Sequence, residues 1–137
     1  MPSLFTVDQA NRTLPLVRRI VEDVVRQYAR WTECTAALRD RARAGRALLP
    51  SEVAALEREA KDLGTEIEGY IAELAGLGIE MKGLDVGLID FPGQVDGRPV
   101  WLCWRLGEPS VQYWHELDAG FAGRQPLRPV ATYSDSS

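Results

Sequence analysis

The 137-residue chain is 45% hydrophobic and 26% charged, proportions that describe one globular domain (1–137) and exclude a disordered chain. Its formal net charge of −4 argues against a nucleic-acid partner on electrostatic grounds, and two cysteines, Cys34 and Cys103, with no CxxC pattern exclude a disulfide framework. No apolar run approaches the ~20 residues of a membrane span and MPSLFTVDQANR lacks a signal-peptide layout, so no membrane partner and a cytoplasmic location are expected.

Thr6 followed three residues later by Gln9 is a capping-box pattern, so a helix is expected to start near Val7. Pro15 removes a backbone donor and disfavours helical geometry at Leu14, which predicts a kink or break near 13–15, with the long helix beginning there. Val17, Val21, Val24, Tyr28, Trp31, Thr35 and Leu38 then alternate spacings of four and three, a heptad seam that Gly45 should stop.

A second helix over 51–77 is expected after Pro50, with Ser51 as N-cap and Glu52 in the first turn, where the helix dipole favours an acid. Val53, Leu56, Ala60, Leu63, Ile67, Tyr70, Leu74 and Leu77 form its seam. Two helices each about 40 Å long, joined by a short Gly- and Pro-bounded loop, must run antiparallel as a coiled-coil-like hairpin over 7–45 and 51–77. Residues 12–46 hold nine Arg against four acids, and residues 47–80 hold eight acids against Arg58 and Lys61. Folding one segment onto the other neutralises both, which weakens a reading of the arginines as a nucleic-acid surface. Ile20, Val25 and Ile71 flank the seams, so the C-terminal third or a second copy must cover them. Self-association follows as an expectation, with a dimer the simplest closed form.

After Gly78 the pattern becomes strand-like. The runs 86–92, 98–106 and 110–117 predict a three-stranded antiparallel meander (86–117), turning at Asp96-Gly97 and at Gly107-Glu108-Pro109. Residues 118–137, with Gly120, Gly123, Pro126 and Pro129, read as a loop and tail. The fold class is α+β.

Three of the four Trp, the single His and Cys103 fall within 101–124. If the second turn centres on Glu108, partners sum to 216, which pairs Cys103 with Tyr113 and Trp101 with His115. Trp101, Cys103, Arg105, Val111, Tyr113 and His115 would share one face; Leu102, Trp104, Trp114 and Glu116 would share the other. Cys103 and His115 as diagonal neighbours can share zinc or iron, with a further ligand from Glu116 or from the helices, where Glu22, Asp23 and Glu33 are the candidates. The competing reading makes His115 a hydrogen-bonded core residue and Cys103 a small buried hydrophobe. Trp101, Trp104, Tyr113 and Trp114 can wall a pocket for a flat small molecule, with Arg105 and Arg124 clamping an anion, or serve as the wedge that packs sheet on helices. Arg124 is expected to pair with Glu116 or Asp118, with Glu108 a further partner. No zincin helix, nucleophile elbow, phosphate loop or dinucleotide fingerprint occurs, so no reaction is implied.

LFTVDQANRTLPLVRRI, GLIDFP, CWRLGEP and YWHELDAGFAGRQPL resemble a family of bacterial proteins, domain-of-unknown-function family 2203, over nearly the whole chain. The resemblance implies no activity. It marks the C-terminal stretch as the family's signature and draws attention to Cys103, Trp104, Arg105, His115, Glu116, Gly120, Gly123 and Arg124. A homo-oligomeric helical-hairpin scaffold or interaction module is the leading expectation, and a metal- or small-molecule-binding protein, with enzymatic activity at the same C-terminal site left open, is the alternative.

Overall fold

The computed structural model describes residues 4–40 and 48–127. Two helices are followed by an antiparallel sheet: α1 (Val7–Asp40), α2 (Pro50–Gly76), β1 (Glu80–Gly83), β2 (Leu88–Val95), β3 (Arg98–Arg105), β4 (Tyr113–His115) and β5 (Gln125–Pro126), with a 3-10 turn at Phe121–Gly123. The sheet has five strands in sequence order, not three. The strands beyond the expected meander are its two edges, of four and two residues, too short to show a period.

α1 starts as its sequence predicts, with Thr6 Oγ1 accepting from the Gln9 amide at 3.1 Å and the Thr6 amide donating to Gln9 Oε1 at 3.0 Å. It does not break at Pro15 but runs through it. Ala10, Leu14 and Val17 are buried in the core on either side of the proline, and Pro15 itself faces solvent. Three buried side chains anchoring both flanks outweigh a local cost of about 3 kcal/mol. The expected stop at Gly45 lies outside the described residues.

At α2 the N-cap is Leu49, not Ser51, and Pro50 takes the first helical position, where its missing donor costs nothing. Leu49 has no side-chain acceptor to offer, but Glu52 reaches back to the Leu49 amide at 2.9 Å. The C-terminus closes as a Schellman motif: the amides of Gly78 and Ile79 donate to the carbonyls of Ala75 and Leu74, and Gly78 sits at φ +82°. That turn swings Leu77 out into solvent and Ile79 into the core, so the seam ends at Leu74 rather than Leu77.

The helices pack on one another in opposite senses. Arg30 grips Glu59 through Nε and Nη2 at 2.6 and 2.8 Å, and Trp31 lies against Gly64. Of the basic and acidic segments, this is the one cross-helix ion pair among the described residues; Arg26 and Arg39 pair with acids of α1 itself.

The sheet buries one face on the helices. Ile89, Phe91, Val100, Leu102 and Trp104 pack with Ala10, Leu14, Val17, Ile20, Val21 and Leu74. Val111 joins them, its amide held by Asn11 Oδ1 at 2.7 Å. It therefore belongs to the helix side and not to the face of Cys103, because the third strand shortens from 110–117 to Tyr113–His115. Phe5 extends the sheet by a parallel bridge to Gly93 and meets the Phe91 ring edge-on at 5.3 Å.

Candidate metal and ligand site

The register fixes the site. β3 and β4 pair Trp101 with His115 and Cys103 with Tyr113, as the turn at Glu108 predicts. β2 and β3 meet at the Asp96-Gly97 turn, where both residues have positive φ, and this pairs Asp90 with Cys103. Period-two alternation then sends Asp90, Cys103 and His115 to the sheet face turned away from the helices. That face is covered too: Asp90 and His115 are each 2% exposed and Cys103 is fully buried.

The three side chains converge, with one ligand atom from each within 4.8 Å of the other two. His115 Nδ1 lies 2.9 Å from the Glu116 carbonyl and Nε2 lies 3.0 Å from Asp90 Oδ2. A carbonyl only accepts, so Nδ1 carries the hydrogen and Nε2 is the nitrogen aimed at Asp90. One proton must then sit between Nε2 and Oδ2. Burial pushes the Asp90 carboxyl above its ordinary range, against the pull of the His115 charge. Asp90 Oδ1 is buried with no hydrogen-bond partner among the described residues. Burial, aided by the Asp90 charge, pushes the Cys103 thiol up to about 12, which keeps it neutral and unreactive unless something replaces its proton.

A cavity of about 300 Å³ opens beside Asp90 and His115, walled by Lys82, Leu88, Trp101, Leu117 and Phe121. Its cover is the segment after β4, where the Arg124 guanidinium lies 3.8 Å over the Tyr113 ring and 4.7 Å from the Phe121 ring. Arg124 is held by Glu108 at 2.9 Å, not by Glu116 or Asp118. Glu108 also accepts from the Arg105 amide, so one carboxylate ties the β3–β4 turn to the cover. A larger groove of about 480 Å³, lined by Arg18, Glu22 and the 106–109 turn, is wide open to solvent and holds none of the three converging side chains.

The remaining sequence candidates separate. Trp104 is fully buried in the helix-side core, its indole donating to the Glu108 carbonyl at 3.0 Å, and Trp114 packs on that side beneath Arg98. The four-aromatic pocket is therefore divided by the sheet, and only Trp101 lines the cavity. Tyr113 lies under Arg124, while Arg105 is exposed at the end of β3. Glu116 pairs with Arg98 at 2.7 Å instead of joining His115. Glu22 and Asp23 stay on α1, which packs on the face of the sheet opposite Cys103, and Glu33 lies farther along α1, in the arm that the sheet does not back.

The carboxylate that does join is Asp90, which sequence reasoning missed. Its signal was present: an acid inside the apolar run GLIDFP, opposite Cys103 in the register that an Asp96-Gly97 turn imposes. No curated protein matches the chain, and no solved structure does. One family model spans the capped start of α1, all three converging residues and β5, matching residues 3–127, and the chain belongs to that family, the Uncharacterized conserved protein (DUF2203).

Proposed function

We propose that the protein binds one borderline divalent ion, zinc or ferrous iron, through Asp90, Cys103 and His115. The observation that carries this reading is a buried O, S and N donor set within 4.8 Å that includes an unpartnered carboxylate oxygen. A tetrahedral shell with metal–ligand bonds near 2.0–2.3 Å places its donors about 3.3–3.7 Å apart, so closing on an ion takes shifts of about 1 Å. The Glu116 carbonyl fixes the His115 tautomer with Nε2 inward, the outer support that ligating histidines have. Three protein ligands leave a fourth position open, and the cavity of about 300 Å³ lies beside it. The ion would displace both the thiol proton and the proton held between Asp90 and His115.

The test is metal stoichiometry of untagged protein, as purified and after anaerobic dialysis against zinc or ferrous iron. One ion per chain is expected, lost in His115→Ala and Cys103→Ser while the helical circular dichroism persists. No uptake by the wild type, or full uptake by both variants, overturns the reading.

A second reading, self-association through a coiled-coil-like hairpin, is favoured by the burial pattern of the helices. α2 buries only Ile67 and Leu74 among its seam positions; Val53, Leu56, Ala60, Leu63 and Tyr70 are half-buried. Beyond Val25 on α1 and before Tyr70 on α2, no helix residue belongs to the sheet-backed core. A second copy covering this arm would bury the remainder. Light scattering at micromolar concentration should give the mass of a dimer; the mass of one chain overturns it.

A further inference from the structure

The cavity beside the donor set adds a ligand class to the metal reading, on which it rests: we propose that it takes a small monocarboxylate, one oxygen on the ion, the other at the Lys82 ammonium, with an apolar body between Trp101 and Phe121. Lys82 is the one cation among the described residues lining the cavity. Its ammonium has three donors, and the structure assigns it a single ion pair, to Glu80 at 2.8 Å. Both partners of that pair are about half exposed, so the pair is weakly held and gives way at little cost. Lys82 also sits 5.8 Å from the centre of the Trp101 ring, which keeps the ammonium above the aromatic wall.

Charge and size select the ligand. A divalent ion with the Asp90 carboxylate and the Cys103 thiolate is neutral, so one anionic oxygen in the open position leaves a single negative charge for Lys82 to meet. A phosphate would call for a nest of backbone amides or several cations, and Lys82 alone supplies neither. A cavity of about 300 Å³ holds about ten water molecules, and thus an organic acid of about that many non-hydrogen atoms. Beside the polar Lys82, Asp90 and His115, the side chains of Leu88, Leu117 and Phe121 supply apolar wall that favours a hydrocarbon or aromatic body over a sugar acid.

Benzoate and its neutral isostere benzamide are the probes, titrated calorimetrically into the zinc-loaded full chain. Benzoate is expected to bind at least tenfold more tightly than benzamide. Lys82→Met should remove that preference without changing the zinc content, and Lys82→Arg should largely keep it. Equal binding of the two probes, no benzoate binding to zinc-loaded protein, or an unchanged preference in Lys82→Met overturns the proposal while leaving the metal reading intact. Failure to take up zinc overturns both, so the two failures are told apart by the metal content measured first.

Discussion

At the scale of single residues, the buried Asp90–His115 contact carries the most chemistry. Both side chains are 2% exposed, and the pair stays neutral overall because it shares one proton. Asp90→Asn preserves the shape and offers His115 Nε2 an amide donor in place of that proton. Its stability should therefore change by about 1 kcal/mol or less, while zinc uptake falls to near zero because an amide is a poor ligand for zinc. Thermal melting and metal analysis of the same sample check both halves. A loss of about 3–5 kcal/mol would instead mark Asp90 and His115 as a buried ion pair whose partners cannot be separated. Cys103 behaves differently from a reactive thiol: with its proton held up to about 12 by burial and the neighbouring carboxylate, it should resist alkylation in the folded metal-free protein.

At the scale of elements, close approach and charge pairing decide how the pieces sit. Gly93 on β2 is where Phe5 crosses: a Cβ there would lie 2.4 Å from Leu102 Cγ and 3.1 Å from the Phe5 carbonyl oxygen. Gly93→Ala should cost about 1–3 kcal/mol by forcing Leu102 from its place or detaching the Phe5 bridge, which a shift in the denaturant midpoint will show. An unchanged midpoint would mean that the N-terminal segment is not tightly held. Between the helices, the hydrogen bond from Arg30 holds the Glu59 carboxyl below its ordinary value. A carboxyl with a depressed folded-state pKa adds stability that is present above its unfolded value, about 4.3, and is lost as pH falls through the lower folded value. Glu59→Gln should thus be less stable than wild type near neutrality, and the two should converge as pH drops below about 4. A gap that persists in acid would assign the effect to packing rather than to charge. Both groups are substantially exposed, so the gap will be small.

At the scale of the whole molecule, the chain divides its burial unevenly. The sheet and the adjoining ends of the helices share one core, whereas the rest of the hairpin, from about Tyr28 to Leu38 and from Val53 to Leu63, rests on a half-buried seam with fully buried Cys34 as an exception. Regions with few buried apolar contacts open at lower free energy than the core. Amide exchange should be orders of magnitude faster in that arm than at Phe91, Leu102 and Trp104. Concentration-dependent protection of the arm alone would locate a subunit contact there, and core-like protection at every dilution would refute a weakly held arm. No helix among the described residues is long and apolar enough to cross a membrane.

Much of this architecture follows from local pattern. The Thr6–Gln9 cap, the two heptad-spaced helices, the Asp96-Gly97 turn and the pairing of Trp101 with His115 rest on periodicity and turn chemistry within a few residues, which the chain carries in its own order. Other features depend on what a segment meets across the fold. Pro15 stays helical because Leu14 and Val17 are pinned by the sheet, and Leu77 gives way to Ile79 because a Schellman turn reverses the chain there. Strand parity already sets Trp101 and Trp104 on opposite faces, yet only the packing of the helices makes one face the core that holds Trp104 and the other the cavity wall that holds Trp101. The candidate site itself divides in the same way. Cys103 and His115 stand out as rare residues in one hairpin, but the carboxylate that joins them comes from β2, since α1, with its acids, packs on the opposite face of the sheet. Sequence periodicity says which residues share a face of their own element; only the tertiary packing determines what each face is turned toward.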